Sequence, residues 1–413
     1  LQGKVSLPSS KSYMQRVLVA ALLSGGTTII ENPGKSQDEE NMRRVIGLLG
    51  AQAETRQNGL SVQGGFQPVV DKMNIGESGL GIRLIIPIAA LSDKTITIAG
   101  EGSLNKRPMG VIEKALGEAG AKCNTAGGLL PVKIKGPLQG GTIQLDGSIS
   151  SQFLSGLLFA LPLAQNHSRI EVKNLKSKPY VDMTLEVLKK FGINIENKNY
   201  EVFDIPGNQC YKATQIEIEG DWSNAAFFFT GAAIRGDLQI SRLKPDSLQG
   251  DKKVLEAISA CGANLKYKDG IYSIQSPNTL ASFDFDATDT PDLFPPLSVL
   301  AAYCHGISRI KGVHRLLYKE SNRTEAIIKE LTQMGINVYT EDDDNLCIQG
   351  GKPKGGAFHS HNDHRMAMAG AVTALAAQNP VTITSAQAVG KSFPTFFESL
   401  KSLKVRLEYL END

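Results

Sequence analysis

The stretch LPSSKSYMQR, residues 7–16, passes from a strand-like run through a small polar turn into an apolar, helix-patterned run. The same order recurs at steps of about 70 residues, and recurrence at a fixed period indicates similar structural units. The later turns are GESGLGIRL at 76–84, GSISSQFLS at 147–155, GDWSNAAFF at 220–228, TDTPDLFPP at 288–296 and HSHNDHRMAM at 359–368. The sequence therefore predicts six units.

Each turn carries a residue type that caps helices. The six turns centre on Ser10, Ser78, Ser150, Ser223, Thr290 and Asn362. Such side chains accept hydrogen bonds from the free amides of a helix's first turn. A helix start also presents unpaired N–H groups and the positive end of the helix dipole. Several helix starts around one site would suit a ligand with several phosphate or carboxylate groups.

A second pattern joins a helix, a glycine stop and an edge strand. It occurs in VIEKALGEAGAKCN at 111–124, TLEVLKKFGINIEN at 184–197, VLEAISACGANLKY at 254–267 and IIKELTQMGINVYT at 327–340. Glycine after the last helical residue is a common helix stop. The patterns together predict an α/β protein of two domains with three units each. The first domain is residues 10–219, and the second is residues 220–413 together with residues 1–9.

The composition is that of an ordinary globular protein. The 413 residues are 41% hydrophobic and 21% charged, with a net charge of +2. This charge argues against a nucleic-acid scaffold, which would carry a strongly basic face. No apolar run is long enough to cross a bilayer, and residues 1–11 do not have the apolar core of a signal peptide. Five scattered cysteines without a CxxC pair suggest free thiols in a reducing compartment. We expect a cytoplasmic protein.

Lys11 and Arg16 stand out in the first turn. Lys11 lies at a helix start, where a cation opposes the helix dipole, and Arg16 follows a turn and a half later. This placement suggests an anionic ligand, although a solvated first turn is the alternative.

The run Lys319-Glu320-Ser321-Asn322-Arg323 follows the strand-like IKGVHRLL. The i, i+4 spacing predicts that Lys319 and Arg323 share one helix face, with Glu320 between them. Such an arrangement is either a surface ion-pair cluster or a proton-transfer group beside an anion clamp.

The last turn contains His359, His361, Asp363, His364 and Arg365. Imidazole and carboxylate groups invite a metal hypothesis, but the spacing fits no common ligand pattern. A helix cap, an orienting carboxylate and an anion-binding arginine fit the pattern better. Asp292, at the fifth turn, is either a cap or a general base. Lys391, before the last helix, would by itself be a surface lysine.

These motifs together resemble the 5-enolpyruvylshikimate-3-phosphate synthases of the enolpyruvyl transferase family. The likeness runs through the whole chain in LPSSKSYMQR, GESGLGIR, KRPMG, GSISSQFLSG, SKPYVDMTLE, GDWSNAAFF, DTPDLFP, YKESNR, NDHRMAMAG and GKSFPTFF. The resemblance implies a two-domain inside-out α/β barrel of six units that closes over its substrates. It also implies transfer of the enolpyruvyl group of phosphoenolpyruvate to shikimate 3-phosphate, without metal or organic cofactor, by a chain that we expect to be a monomer.

The resemblance also implies a role for particular residues. The first domain would bind mainly shikimate 3-phosphate, the second would carry the Lys-Glu and Asp-His-Arg motifs, and the active site would lie in the cleft between them. Shikimate 3-phosphate would contact Lys11, Ser12, Arg16, Ser150, Ser151, Gln152, Ser177, Tyr180, Asp292 and Lys319. Phosphoenolpyruvate would contact Lys11, Gly79, Arg107, Gln152, Arg323, Arg365 and Lys391. The catalytic groups would be Asp292 as base, alone or shared with Lys11, and Glu320 as acid, alone or with Lys319.

The chain departs from the family pattern in three places. Glu77 stands near the expected phosphate site and would repel a phosphate unless it points away or pairs with a cation such as Arg83. Arg315 and Leu317 replace an asparagine and an arginine that the family usually carries.

Two other functions fit part of this pattern. A UDP-N-acetylglucosamine enolpyruvyl transferase would share the fold and the chemistry but usually carries a reactive cysteine before the Arg-Pro pair. Residues 101–108 contain none, and Cys123 is expected in the following helix as a buried thiol. An inactive ligand-binding relative would have lost several of the charged residues named above, all of which are present.

Overall fold

The first residues of the chain are paired with its second half. The computed structural model describes residues 1–57 and 59–410. Strand β1 (Gln2–Ser6) runs parallel to β14 (Asp237–Ser241). The chain divides into one unit of Ser9–Ile218 and another of Leu1–Pro8 with the described residues of Glu219–Asp413.

The Ser9–Ile218 unit alternates helices and strands. Its helices are α1 (Lys11–Leu23), α2 (Gln37–Leu48), α3 (Gly79–Ala89), α4 (Gly110–Glu118), α5 (Ser151–Ala160) and α6 (Lys178–Lys190). Its strands are β2 (Thr27–Glu31), β3 (Gln52–Arg56), β4 (Gly59–Gln63), β5 (Lys72–Asn74), β6 (Thr95–Ala99), β7 (Lys122–Ala126), β8 (Leu129–Lys135), β9 (Gly141–Asp146), β10 (Ser168–Lys173), β11 (Glu196–Lys198), β12 (Val202–Ile205) and β13 (Gln215–Glu217).

The other unit continues in the same way. Its helices are α7 (Trp222–Arg235), α8 (Val254–Ala260), α9 (Phe294–Ala302), α10 (Arg323–Gln333), α11 (His364–Thr373) and α12 (Phe396–Ser402). Besides β1 and β14, its strands are β15 (Asn264–Lys268), β16 (Ile271–Gln275), β17 (Asp284–Asp286), β18 (Ile307–Lys311), β19 (Asn337–Glu341), β20 (Asn345–Gln349), β21 (Gly356–His359) and β22 (Val381–Thr384).

One sheet pattern recurs through the chain. Over residues 1–57 and 59–410, five sheets have four strands each, in the orders β13-β2-β4-β3, β5-β6-β8-β7, β9-β10-β12-β11, β1-β14-β16-β15 and β17-β18-β20-β19. Each begins with a parallel pair and continues with two antiparallel pairs. The sixth sheet is only the parallel pair β21-β22. The six-unit α/β expectation is confirmed, but the sixth unit is shorter than expected.

Helices fill the interior of each unit. Every residue of α3, α9 and α11 is buried, and so are most residues of α1, α5 and α7. A helix that is apolar on all sides is typical of a protein core. The sheets therefore pack outside these central helices, as in an inside-out barrel.

The ends of the helices follow from local chemistry. Ser10, Ser78 and Ser150 accept hydrogen bonds from first-turn amides, as the sequence predicts. At α7 and α11 the caps are Asp221 and Asp363 rather than Ser223 and Asn362, because the carboxylate that precedes each helix accepts the amide bond.

Glycine ends the second type of helix. The stops Gly120, Gly192, Gly262 and Gly335 have φ angles of 86°, 80°, 89° and 84°. Residues with a Cβ atom rarely adopt this left-handed conformation, so glycine here turns the chain from helix into edge strand.

Among the residues that the structure describes, none of the helices has the length and apolarity needed to span a membrane.

Candidate active site

Hydrogen bonds tie the helices α1, α3 and α6 together. Arg16 of α1 donates from Nε to Oγ1 of Thr184 in α6 at 2.8 Å. Ser78, the cap of α3, donates to Oε1 of Gln15 in α1 at 3.2 Å. Helix starts that the sequence separates by many residues therefore lie side by side, and their free amides favour anions.

The start of α5 joins the same group. Arg83 of α3 donates from Nη1 to Oε1 of Gln152 in α5 at 2.8 Å and to the carbonyl oxygen of Gly79 at 3.2 Å. Its guanidinium also lies over the ring of Phe153, 5.0 Å from the centroid. We call this group the helix-start cluster and define it as Lys11, Arg16, Gly79, Arg83, Arg107 and Gln152.

Arg16 is a buried cation that donates to neutral groups. Only 1% of its surface is exposed. Besides Thr184, it donates to the carbonyl oxygens of Ser12 at 2.8 Å and Tyr180 at 3.1 Å. Burial lowers the pKa of Arg16 to about 10, so the side chain is still charged at neutral pH. Arg16 therefore braces α1 against α6 and keeps its positive charge.

Lys11 pairs with a carboxylate that sequence reasoning missed. Its Nζ atom lies 2.8 Å from Oδ2 of Asp38, in the first turn of α2. Both side chains are mostly buried, with 13% and 10% exposed. An acidic residue at a helix start looks like an ordinary cap in the sequence, so nothing there distinguished Asp38. The pair holds the ammonium group at the start of α1.

The predicted serines and Tyr180 lie at the starts of α5 and α6. The Ser150 hydroxyl accepts the Gln152 amide at 3.2 Å, and Ser151 is the buried first residue of α5. Ser177 caps α6 in a left-handed conformation, with φ at 58°, and its carbonyl oxygen accepts the Tyr180 amide at 3.1 Å. The structure thus places this predicted set at two helix starts.

Gly79 and Arg107 lie against each other. A Cβ atom at Gly79 would collide with Nη1 of Arg107, so a larger residue here would displace the guanidinium from the first residue of α3. Arg107 is 5% exposed. An arginine and the free amides of a helix start therefore face the same space.

Glu77 reaches toward a neighbouring loop. Its Oε2 atom accepts from the Ser103 amide at 3.3 Å and from the Ser103 hydroxyl at 3.4 Å. Ser103 belongs to the short 3-10 helix Gly102–Lys106, which leads directly into Arg107. These contacts give the Glu77 carboxylate a role in holding the loop that carries Arg107.

Arg323 is the centre of the second group, in the other unit. Its side chain is fully buried and donates to three carboxylates: Nη1 to Asp292 at 2.6 Å, Nη2 to Glu320 at 2.6 Å and Nε to Asp363 at 2.8 Å. Burial would lower the pKa of Arg323, but these carboxylates outweigh burial and raise it. A substrate carboxylate that bound Arg323 would have to share or displace these partners.

Asp292 bridges three cations. Its Oδ1 atom accepts from Arg323 and from Nζ of Lys319 at 3.2 Å, and its Oδ2 atom accepts from Nη2 of Arg365 at 3.0 Å. Burial would raise the pKa of Asp292, but Arg365, Lys319 and Arg323 hold it well below its usual value. Asp292 is therefore ionised at neutral pH and is a weak base while all three cations contact it.

The helix predicted to carry Lys319 begins later than expected. Strand β18 ends at Lys311, and α10 begins at Arg323 because the Asn322 side chain caps it. Lys319 and Arg323 therefore do not share a helix face; they meet through Asp292. Burial lowers the pKa of the Lys319 ammonium, against the raising effect of Asp292.

Asp363 orients the start of α11, as the sequence suggests. It accepts the Arg365 amide at 2.9 Å, the Ser321 hydroxyl at 3.1 Å and the Arg323 guanidinium. Arg365 is 6% exposed and reaches Asp292. The six residues Asp292, Lys319, Glu320, Arg323, Asp363 and Arg365 form one ion-pair network, here called the Arg323 cluster.

Lys391 lies beside the turn that precedes this helix. Its Nζ atom donates to the carbonyl oxygen of Asn362 at 3.4 Å, and the residue is 8% exposed. The sequence alone would have left it on the surface. Tertiary contacts place its ammonium next to the start of α11.

Asp251 is another buried carboxylate that the sequence did not single out. It is 1% exposed and accepts a hydrogen bond from the Ser223 hydroxyl. Burial, followed by the nearby Asp292 carboxylate, raises the pKa of Asp251 to about 6. Its charge therefore couples to the Arg323 cluster.

The histidines of the last turn have protein partners. Nε2 of His361 lies 2.8 Å from Oε1 of Glu330, and Nδ1 of His359 accepts the His361 amide at 2.8 Å. Within residues 1–57 and 59–410, no group of three or more His, Cys, Asp or Glu side chains could hold a metal ion.

Cys123 lies in strand β7, not in a helix as predicted, because the glycine stop at Gly120 ends α4 first. Burial, together with Glu113, raises the pKa of its thiol to about 12. The thiolate, which is the reactive form of cysteine, is therefore scarce at neutral pH.

Two departures from the family pattern lie beside the Arg323 cluster. Burial lowers the pKa of Arg315, against the opposing effect of Asp289 and Asp292. Leu317 is 53% exposed. Nothing in the structure explains the leucine at this position.

The chain matches a known family over nearly its whole length. The family model described as EPSP synthase (3-phosphoshikimate 1-carboxyvinyltransferase) matches residues 1–400. Proteins named 3-phosphoshikimate 1-carboxyvinyltransferase from Clostridium kluyveri and Aeropyrum pernix are 38% and 35% identical to it. These alignments cover 98% and 99% of this chain and 95% of each relative.

Solved structures agree with the sequence comparisons. An EPSP synthase from Acinetobacter baumannii is 27% identical, with a TM-score of 0.82, and the alignment covers 97% of this chain and 95% of that one. The enolpyruvyl transferase NikO from Streptomyces tendae, 17% identical with a TM-score of 0.78, shares the fold. This chain belongs to the EPSP synthase family.

Proposed function

We propose that the Arg323 cluster and the helix-start cluster carry the reaction that gives the family its name. The chain is a 3-phosphoshikimate 1-carboxyvinyltransferase. It transfers the enolpyruvyl group of phosphoenolpyruvate to the 5-hydroxyl of shikimate 3-phosphate and releases phosphate, in the shikimate pathway to chorismate and the aromatic amino acids. The observation that carries the proposal is a pair of carboxylates, Asp292 and Glu320, bound to one buried arginine among further cations.

Shikimate 3-phosphate is proposed to bind mainly to the helix starts of the Ser9–Ile218 unit. Hydroxyls, an amide and free backbone N–H groups at the starts of α5 and α6 suit its phosphate. The phosphate contacts are Ser150, Ser151, Gln152, Ser177 and Tyr180. The ring contacts are Ser12, Arg16, Asp292 and Lys319, and Lys11 is a further contact of shikimate 3-phosphate. The partners of Arg16 support this role. Among the residues that the structure describes, they are a hydroxyl and two carbonyl oxygens rather than a carboxylate, and a buried cation in such surroundings attracts an anionic ligand.

Phosphoenolpyruvate is proposed to bind through its two charged ends. Its phosphate meets Lys11, Arg107, Gln152, Lys391 and the backbone of Gly79. Its carboxylate meets Arg323 and Arg365. The contact between Gly79 and Arg107 supports the first assignment, because it combines a guanidinium with a helix start. For the carboxylate, the geometry favours Arg365, since Arg323 already donates to three carboxylates.

The first half of the reaction is an addition. Asp292, alone or together with Lys11, takes the proton of the attacking 5-hydroxyl. Glu320, which has to leave its ion pair with Arg323 and take up a proton before this step, gives that proton to the methylene carbon of phosphoenolpyruvate. A C–O bond forms, the C=C bond is lost, and a tetrahedral ketal phosphate results. Capture of Arg365 by the substrate carboxylate removes one cation from Asp292, which raises the basicity of Asp292 when it is needed.

The second half is an elimination with the proton steps reversed. The Glu320 carboxylate removes a proton from the new methyl group, the C=C bond forms again, and phosphate leaves with the proton held by Asp292. The surrounding cations offset the repulsion between two multiply charged substrates. No step needs a metal or organic cofactor.

We also propose that substrate binding engages both units and closes them, with residues 10–219 binding mainly shikimate 3-phosphate. A smaller radius of gyration with shikimate 3-phosphate, by small-angle scattering, would support closure, and an unchanged radius would contradict it. We propose further that the protein works as a monomer in the cytoplasm. The five free cysteines are consistent with a reducing compartment.

The direct test is release of phosphate from phosphoenolpyruvate with either shikimate 3-phosphate or UDP-N-acetylglucosamine as the second substrate. We expect release with shikimate 3-phosphate alone. The half-buried Cys123, with its raised pKa, argues against the sugar nucleotide reaction as it is usually performed. Release of phosphate with the sugar nucleotide alone would overturn the assignment of shikimate 3-phosphate as the substrate. Release with neither would favour a ligand-binding protein.

A further inference from the structure

The turn before α11 has an unusual backbone. His361 and Asn362 both have φ at 54°, in the left-handed region that residues with a Cβ atom rarely adopt. Two such residues in succession persist only when their surroundings hold them. The turn is therefore held in place by specific contacts.

Glu330 supplies two of these contacts from α10. Its Oε2 atom accepts the His359 amide at 2.8 Å, and its Oε1 atom lies 2.8 Å from Nε2 of His361. Glu330 is only 1% exposed. A buried carboxylate is stabilised by such hydrogen bonds, so removal of Glu330 would leave the turn without partners on both sides of Ser360.

Ser360 completes the turn from the opposite side. Its hydroxyl donates to the Ser385 carbonyl oxygen at 2.9 Å and accepts the Asn362 amide at 3.2 Å. Its own carbonyl oxygen accepts the Asp363 amide at 2.9 Å. The conformation of the turn thus passes directly into the cap of α11.

Two charged groups of the proposed phosphoenolpyruvate site, Lys391 and Arg365, depend on this turn. The Asn362 carbonyl oxygen accepts from Lys391, and Asp363 caps the helix that begins with His364 and Arg365. Helix α10 begins with Arg323 and carries Glu330 two turns later. The helix that carries Arg323 therefore also supplies the carboxylate that holds the turn. A shift of the turn would move Lys391 and Arg365 relative to Arg323.

We propose that Glu330 and His361 are positioning residues for phosphoenolpyruvate. Their contact holds the left-handed turn so that Lys391 and Arg365 face the same ligand. This inference rests on the proposed phosphoenolpyruvate contacts of Lys391 and Arg365. Neither Glu330 nor His361 is assigned a contact with substrate.

The test uses Glu330→Ala and His361→Asn in the full chain. Glu330→Ala removes both acceptors, and His361→Asn keeps a residue that tolerates left-handed backbone but loses the ring contact. Glu325→Ala is the matched control, because Glu325 is an exposed carboxylate of the same helix. The measurements are KM for phosphoenolpyruvate, kcat, the Kd of shikimate 3-phosphate, and hydrogen exchange at the backbone amides of residues 359–363.

We expect both variants to raise KM for phosphoenolpyruvate by about tenfold to a hundredfold, the cost of a small misplacement of binding groups. The Kd of shikimate 3-phosphate should stay near the parental value, and exchange at residues 359–363 should rise. Glu330→Gln, which keeps one acceptor oxygen, should give an intermediate KM and serves if Glu330→Ala does not fold.

Unchanged KM in the folded variants, with or without faster exchange, would overturn the positioning role. An equal rise in the Kd of shikimate 3-phosphate would also overturn it, because that result would indicate general loosening. The parental protein is assayed first: if it releases no phosphate from the two substrates, the proposed function fails, and this outcome is distinct from failure of the positioning role.

Discussion

Arg16 and Arg323 are both fully buried arginines, but their surroundings are opposite. Arg16 donates to a hydroxyl and two carbonyl oxygens, and burial lowers its pKa to about 10. Arg323 donates to three carboxylates, which raise its pKa despite burial. The first keeps its charge for an incoming anion, whereas the second holds acids in place. The helix-start cluster is therefore suited to binding and the Arg323 cluster to proton transfer.

The largest effect should come from removing the acids of the Arg323 cluster. Glu320→Ala and Asp292→Ala should each lower kcat by about 10²–10⁴-fold, the usual contribution of a general acid or base. Shikimate 3-phosphate should still bind, and calorimetry beside steady-state kinetics checks both statements. Near-parental kcat in either variant would remove that residue from the proton-transfer scheme.

Stability should separate the two arginines. Arg323→Ala leaves the buried Asp363 and the partly buried Asp292 and Glu320 without their common partner and should lower the free energy of unfolding by about 3–5 kcal/mol. Arg16→Ala leaves neutral acceptors unsatisfied and should lower it by about 1–3 kcal/mol. Denaturant titration of both variants measures the difference. An equal loss of unfolding free energy in both variants would contradict the claim that Arg323 is bound more strongly by its carboxylates than Arg16 is by its neutral acceptors.

Gln152→Ala should affect binding more than chemistry. It removes one acceptor of Arg83 and a proposed phosphate contact at the start of α5. The Kd of shikimate 3-phosphate should rise about tenfold, equivalent to 1.4 kcal/mol. The kcat at saturation should change little. Gln165→Ala, at an exposed glutamine after α5, is the control. A fall in kcat without a change in Kd would contradict the division between the clusters.

The smallest effect should be a pH dependence from Asp251. Its pKa is raised in the folded state to about 6, from 3.8, so the unfolded chain ionises first and the parent loses stability as pH rises through this window. Asp251→Asn does not have this loss. Its free energy of unfolding, relative to the parent, should therefore increase by about 1 kcal/mol between pH 5 and pH 7. Thermal or urea unfolding at the two pH values tests it, and a constant difference would contradict it.

Local chemistry explains how much could be predicted. The caps Ser10, Ser78 and Ser150 and the four glycine stops depend on neighbouring residues, so the sequence indicated them. The prediction that Lys319 and Arg323 share a helix face was wrong. The helix begins only at Arg323, because the Asn322 side chain caps it there.

Long-range pairs explain the rest. Arg16 meets Thr184 across 168 positions, and Arg323 meets Asp363 across 40. A residue's neighbours in sequence do not reveal such partners. For the same reason the sequence indicated the candidate site residues but not the three carboxylates that act on them. Asp38 pairs with Lys11, Asp251 couples to Asp292, and Glu330 holds the turn before α11.

Exchange of hydrogen with solvent tests the proposed proton transfer most directly. In heavy water with both substrates, addition of a deuteron to the methylene carbon and later loss of a hydrogen should leave deuterium in the enolpyruvyl group of the product. The parent and the control Glu325→Ala should incorporate deuterium, while Glu320→Ala should incorporate it far more slowly. Mass spectrometry of the product and of the recovered substrate measures the incorporation. Incorporation by Glu320→Ala at the parental rate would contradict the role of the Arg323 cluster in proton transfer.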